Sequence, residues 1–175
     1  MPASSHQYPI GKFEPRETYT PQEITAFLLN IKLLPSKIEA LYRQFKPAQL
    51  DLTYREDGWT ARQIIHHLAD SHMNAYIRTK WTLTEDTPLI KAYDEKNWAK
   101  TPDVQTDPVV SIELLHVLHK KWVSLLRTLK PSDLERSFIH PETKKHIRLD
   151  RLIALYAWHG EHHLAHLALI LDRRL

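Results

Sequence analysis

The chain contains no cysteine and only three glycines among its 175 residues. The absence of cysteine excludes disulfides, thiolate metal sites and a cysteine nucleophile, so a metal ion could be held only by imidazole or carboxylate groups. Three glycines are too few for a glycine-rich phosphate-binding loop. Because the chain has no cysteine, any thiol used in the chemistry must come from the substrate.

Long apolar runs and a strong charge imbalance are also missing. No stretch approaches the roughly 18 apolar residues of a membrane span, and the first residues lack the charged start and apolar stretch of a secretion signal. We therefore expect a cytoplasmic protein with no membrane partner. The net charge is only +3, and basic residues are interleaved with acidic ones, so nucleic-acid binding is not expected.

Hydrophobic residues make up 42% of the chain and charged residues 26%, which is typical of a folded globular protein. Residues 1–20 are rich in proline and polar side chains and are predicted to form an extended N-terminal arm. Residues 21–175 are predicted to form one domain, an all-α four-helix bundle, because apolar residues recur at helical spacing in four long segments. Residues 136–149 predict a small β-hairpin before the last helix.

The starts of the helices are predicted from capping signals. Thr20 and Thr60 are each followed three residues later by Glu or Gln, which predicts capping boxes for the first two helices. Pro35 lies inside the first helix and predicts a kink or a break there. Asp107–Pro108 is expected to open the third helix, and the fourth is expected to cover about residues 150–173.

Histidine is abundant, with twelve in the chain. On a helical wheel of the last helix, with the charged Glu161 facing outward, His159 and His163 face the interior. Two buried imidazoles need polar partners, and one shared metal ion would supply them. The alternative is that each is an ordinary core histidine, because this spacing is required for a helical metal pair but is not sufficient. Glu161 follows His159 by two positions, so it is not expected to act as a general base.

The second helix offers more than one candidate for a third ligand. His67 lies at the edge of its apolar face, whereas His72 lies near the centre, so periodicity alone ranks His72 as the more buried. In line with His67 are three polar residues that could form a pocket wall, Ser71, Asn74 and Arg78. Asp70 could orient an imidazole, or it could be an ordinary solvated acid.

Three segments carry a family resemblance: GWTARQIIHHLADSHMNAYIR, TPLIKAYDEKNWA and HPETKKHIRLDRLIALYAWHGEHHLAHLAL. They resemble the YfiT-like branch of the DinB superfamily over about residues 8–169. The resemblance implies a four-helix bundle with a three-histidine metal site, one ligand from the HLAD motif and two from a His-x-x-x-His pair. In this chain those ligands are His67, His159 and His163, which leaves His72 as a structural residue or as a partner of a ligand.

The same resemblance implies an activity. Proteins of this branch are described as metal-dependent hydrolases, and one as a bacillithiol transferase. We therefore expect one divalent metal per chain, with zinc as first choice and nickel, iron or manganese as alternatives. The ion would activate water or a substrate thiol. The alternative is a non-enzymatic, stress-related bundle with a structural metal or a small-ligand binding role.

The expected partners are a small-molecule substrate, which could be a low-molecular-weight thiol such as anionic bacillithiol, and a second copy of the chain. Arg78 would suit an anionic substrate. Met73 and Ile77 are candidates for a homodimer contact. The long connection between the second and third helices contains Tyr93, Asp94 and Trp98. These residues are expected either to cover a pocket or only to pack within the loop.

Overall fold

The computed structural model describes residues 6–173, which form four long helices joined by shorter elements. We label the helices α1 (Pro21–Tyr42), α2 (Ala61–Thr84), α3 (Val109–Leu126) and α4 (Leu149–Leu171). Both α1 and α2 pack against α3 and α4. The predicted four-helix bundle is therefore confirmed. None of the described helices combines the length and apolarity that a membrane crossing requires.

The predicted capping signals explain where the helices begin. The Thr20 side chain accepts a hydrogen bond from the backbone N–H of Glu23, and Thr60 caps α2 in the same way. Of the two outcomes predicted at Pro35, the break is wrong, because α1 continues to Tyr42 with Pro35 buried inside it, and the kink stays a prediction. A proline removes only one hydrogen bond of the helix, and packing against α3 and α4 holds the two halves together.

Short elements fill the connections between the helices. Strand β1 (Ser137–Ile139) pairs antiparallel with β2 (His146–Arg148), which confirms the predicted hairpin. The backbone N–H of Ile90 donates to the Ile139 carbonyl at 3.2 Å and so ties the long α2–α3 connection to the hairpin. The remaining short elements are helical turns at Pro47–Asp51, Glu95–Trp98, Pro102–Gln105 and Pro131–Glu135.

The described part of the N-terminal segment has no regular helix or strand between Gly11 and Thr20. Residues 1–5 of the predicted arm lie outside the described residues. The division of the chain into an arm and one domain stays a prediction.

The bundle core has two apolar clusters with a layer of histidines between them. One cluster uses the N-terminal part of α1 and α4 and the C-terminal part of α2 and α3, and it includes Ile24, Ala75, Trp122 and Leu152. The other uses the opposite parts and includes Ile38, Ile64, Ile112 and Leu167. Along the helices, the partly buried His159 and a group of buried histidines fall between the clusters, namely His72, His119, His162, His163 and His166. This polar layer positions the candidate site.

Candidate metal centre

Three predicted residues meet where α2 faces α4. His67 comes from α2, and His159 and His163 come from successive turns of α4. One ring nitrogen from each lies within 4.8 Å of the others, and among the described residues this is the only group of three or more side chains placed to share a metal ion. The structure therefore brings together the three histidines that the family resemblance indicated.

The spacing of the nitrogens fits a divalent ion. Two imidazole nitrogens bound to one tetrahedral zinc, with bonds of about 2.0–2.1 Å, lie about 3.3–3.4 Å apart. The measured separation between His67 Nε2 and His159 Nε2 is 3.3 Å. Two acceptor nitrogens facing each other at this distance repel unless a cation or a proton lies between them. The residues present thus fit the metal that the resemblance implies.

The protonation state of the cluster also suits a metal. Burial lowers the pKa of His67 to about 4. Burial, together with the neighbouring imidazoles, lowers the pKa values of His159 and His163 well below the usual range. All three rings are therefore neutral near pH 7, and no proton has to be displaced before an ion binds.

Carboxylates are absent from the centre. Among the described residues, no carboxylate oxygen lies within 4.0 Å of a ring nitrogen of the three histidines. Glu161 instead forms an ion pair with Lys37 at 2.5 Å on the far side of α4. The outward direction predicted for Glu161 is therefore confirmed, and the donor set consists of imidazoles alone.

His72 contacts the cluster without belonging to it. It is fully buried, as its central position on the apolar face predicted, and its Nε2 lies 3.4 Å from Nδ1 of His159. Its other neighbour is the ring of His119, stacked at a centroid distance of 4.8 Å. Periodicity thus ranked the burial of His72 correctly, but depth in the core did not decide which imidazole of α2 joins the cluster.

The Asp70 side chain makes no hydrogen bond to a candidate metal ligand among the described residues. No hydrogen bond joins its side chain to His67, although the two residues lie on successive turns of α2. Burial, with a smaller contribution from Asp103, raises the pKa of Asp70 to about 6. Neither predicted role fits, because Asp70 is a half-buried acid without an imidazole partner.

The three histidines open into a cavity of about 880 Å³, a size that suits a small molecule. Its wall includes Ser71 and Arg78 of the predicted polar stripe but not Asn74, whose amide donates to the backbone carbonyl of Asp70. Aromatic rings form much of the rest, namely Tyr8, Tyr54, Trp59, Tyr156 and Trp158. The stripe on α2 is therefore a pocket wall over part of its length.

The long connection reaches this cavity through residues other than those singled out from the sequence. Glu95, Lys96 and Lys100 line it, but Tyr93, Asp94 and Trp98 do not. The rings of Tyr93 and Trp98 pack together at 4.7 Å, and the Asp94 carboxylate caps the turn at Glu95–Trp98. The packing interpretation is the better one for those three residues.

The N-terminal segment takes part in the site, which no feature of the sequence predicted. Gln7 and Tyr8 line the cavity, and the carbonyl of His6 lies 3.1 Å from Nε2 of His166. His166 is buried beside His163. No local pattern in residues 6–8 signals these contacts, because they depend on where the segment crosses α4.

Comparison with known proteins places the chain in a family. Residues 31–167 match the model of the DinB superfamily, and the chain therefore belongs to that superfamily. A protein of Bacillus subtilis (strain 168), named "Putative metal-dependent hydrolase YfiT", is 44% identical over all of this chain and 98% of its own length. A protein of Oceanobacillus iheyensis with the same description is 46% identical over 97% of this chain and 98% of its own length.

Solved structures agree with the family assignment. The structure of YfiT from Bacillus subtilis, which has a four-helix bundle topology, matches with a TM-score of 0.92 at 44% identity, over 95% of each chain. A mycothiol-dependent maleylpyruvate isomerase matches with a TM-score of 0.67 at 14% identity, over 86% of this chain and 63% of the isomerase. At that identity the second likeness shows the fold alone.

Proposed function

We propose that this protein is a divalent-metal-dependent enzyme, with one ion per chain held by His67, His159 and His163 and with zinc as first choice. The observation that carries the proposal is that three neutral imidazoles converge on the wall of a substrate-sized cavity. Three protein ligands leave a coordination position for water or substrate, as in catalytic zinc sites. The names of the relatives make hydrolysis the first candidate reaction.

The protein's contribution is to hold, orient and shelter the reacting groups. A divalent ion in such a site lowers the pKa of a bound water to about 7 and deprotonates a bound thiol. The Trp59 ring packs on His67 at a centroid distance of 4.5 Å, and Tyr156 packs on His159 at 5.5 Å. These aromatic contacts exclude water from the back of the imidazoles and restrict their rotation.

Thiol S-transfer is the second candidate reaction, supported by the all-imidazole centre. Metalloprotease-type hydrolysis uses a carboxylate as general base, and among residues 6–173 no carboxylate oxygen lies within 4.0 Å of a ring nitrogen of these histidines. A metal-activated thiol needs no such base, and because the chain has no cysteine the thiol would come from a substrate of the bacillithiol type. Arg78 on the cavity wall would pair with an anionic group of that substrate.

The metal assignment predicts that His163→Ala abolishes stoichiometric binding, because two imidazoles remain where three are needed. Elemental analysis of protein loaded with excess zinc and then dialysed should give one ion per wild-type chain and much less than one for the variant. His146→Ala, in strand β2 and away from the centre, is the control and should keep one ion. Equal zinc in all three proteins would refute the assignment.

The reaction class can be separated with the metal-loaded protein. Hydrolysis predicts turnover of activated esters or amides without added thiol, and S-transfer predicts conjugation of an aryl halide only when bacillithiol or cysteine is present. The non-enzymatic alternative predicts neither activity while the metal stays bound.

We also retain the homodimer as a proposal, since Met73 and Ile77 are partly exposed on α2.

A further inference from the structure

Two buried histidines outside the ligand set each touch a candidate ligand. Nδ1 of His166 lies 3.4 Å from Nδ1 of His163, and Nε2 of His72 lies 3.4 Å from Nδ1 of His159. His166 is 2% exposed and His72 is fully buried. Each ligand on α4 therefore has one ring nitrogen toward a second imidazole, and its other nitrogen remains for the cluster.

The protons of the first pair can be assigned from the backbone. His166 Nε2 lies 3.1 Å from the carbonyl oxygen of His6. A carbonyl only accepts, so His166 Nε2 must carry the proton. A neutral imidazole has a single N–H, so Nδ1 of His166 is an acceptor, and the facing Nδ1 of His163 must be the donor.

This assignment leaves Nε2 of His163 with a free lone pair, which is the form that a metal ligand needs. The backbone carbonyl of His6 alone fixes this tautomer, whether or not an ion is bound. The second pair follows from the cluster itself, because His159 turns Nε2 toward His67. With that nitrogen as the ligand, His159 carries its proton on Nδ1 and donates it to Nε2 of His72.

We propose that His166 and His72 are positioning residues, which hold His163 and His159 in the tautomer and orientation that bind metal. The backbone of the N-terminal segment at His6 completes the chain of hydrogen bonds on the His163 side. The inference rests on the proposed function, since it takes His159 and His163 as ligands. Partners of this kind change metal affinity by about 10–100-fold when removed.

The cost of burying His72 argues against a purely stabilising role. When Nε2 of His72 accepts from His159, its proton lies on Nδ1, which has no hydrogen-bond partner among the described residues. An unpartnered buried N–H is unfavourable because it loses its hydrogen bond to water, and an apolar side chain at this place would avoid that cost. His119 also has one ring nitrogen without a partner among the described residues, Nε2, but its Nδ1 donates to the Ile31 carbonyl at 2.6 Å and it makes no hydrogen bond to a candidate ligand, which makes it the matched core histidine.

The test compares substitutions that keep or remove the accepting atom. His166→Leu and His72→Leu remove the acceptor and should weaken zinc binding about 10–100-fold, measured by competition with a chromophoric chelator. His166→Asn and His72→Gln place an amide oxygen near the lost nitrogen and should restore most of the affinity. His119→Leu is the matched core control and should bind zinc like wild type. Deletion of residues 1–6 removes the His6 carbonyl and should weaken zinc binding about 10-fold.

The outcomes separate this inference from the proposed function. If wild type binds no zinc, the proposed function fails and the inference falls with it. If wild type binds zinc and the two leucine variants and the deletion bind equally well, the inference alone is overturned. It is also overturned if the leucine, amide and His119 variants are weakened to the same extent, because that pattern indicates loss of packing only. Circular dichroism of each metal-free variant establishes that folded proteins are compared.

Discussion

His66 and His67 are neighbours on α2 and are about equally buried, at 6% and 4% exposure, yet they face different surroundings. His66 accepts from the Ser111 hydroxyl at 2.7 Å, and its other nitrogen donates to the Thr106 carbonyl at 3.3 Å. The Nε2 atom of His67 lies 3.3 Å from the Nε2 atom of His159, and within the described part of the chain it receives no hydrogen bond from a hydroxyl or a backbone group. Burial alone therefore does not identify a candidate metal ligand; convergence of its free nitrogen with those of other imidazoles does.

His66 has a structural role on its own side of α2. It does face away from the metal centre, but the segment that leads into α3 covers it and satisfies both of its nitrogens. One side of α2 therefore uses histidine to attach a connection to the bundle. On the other side of α2, the next residue, His67, belongs to the candidate metal centre.

The largest difference between His66 and His67 is expected when each is replaced by leucine in turn. His67→Leu should weaken zinc binding by more than about 100-fold, more than the loss of an outer partner does, because a ligand is lost. His66→Leu should keep zinc affinity within a few-fold but lower the free energy of unfolding by about 1–3 kcal/mol, since buried partners of the imidazole become unsatisfied. Chelator competition and urea unfolding measure the two effects. The opposite pattern would show that the roles are misassigned.

Gly160 offers a test of how tightly α4 packs beside the candidate site, without a change to any histidine. A Cβ atom at Gly160, beside His159, would lie 2.5 Å from Cδ2 of the buried Leu34 on α1. Gly160→Ala should therefore lower the free energy of unfolding by about 1–2 kcal/mol, as overpacking outweighs the better helix propensity of alanine. In urea unfolding, the double variant with Leu34→Ala should cost less than the sum of the single variants. Strict additivity would mean that the two residues do not meet.

The smallest expected effect concerns the acid three residues after His67. The pKa of Asp70 is raised to about 6 in the folded protein from an ordinary value of 3.8. Between these values the native state binds more protons than the unfolded state, so this group's contribution to stability falls as the pH rises through that window. Asp70→Asn should therefore be more stable than wild type at pH 7.5, by about 1 kcal/mol after allowance for solvent screening, and the gain should largely vanish at pH 4.

Urea unfolding of the metal-free proteins at the two pH values checks this prediction. Zinc affinity should not change in Asp70→Asn, because no hydrogen bond links Asp70 to His67 in the described residues. A clear loss of affinity would restore Asp70 as an orienting group for the imidazole. A pH-independent gain in stability would instead contradict the raised pKa.

Much of the architecture could be predicted from local signals. Thr20 and Thr60 mark helix starts through side-chain hydrogen bonds three residues away, and those bonds are present. The outcome at Pro35 could not be predicted in this way, because α1 is continuous only by virtue of the helices packed against it. Local sequence thus predicts where a helix can begin, but tertiary packing determines whether it survives an unfavourable residue.

The candidate site also has features that the sequence predicts and features that only tertiary packing determines. The sequence alone places His159 and His163 on the inward face of an apolar helix, and its lack of cysteine excludes every thiolate ligand from the chain. Only the tertiary structure decides that His67 rather than His72 meets that pair, and that a carbonyl of the N-terminal segment orients His166. The reason is geometric: helical periodicity fixes the direction of a side chain about its own helix axis, but the packing of separate segments determines which group lies opposite.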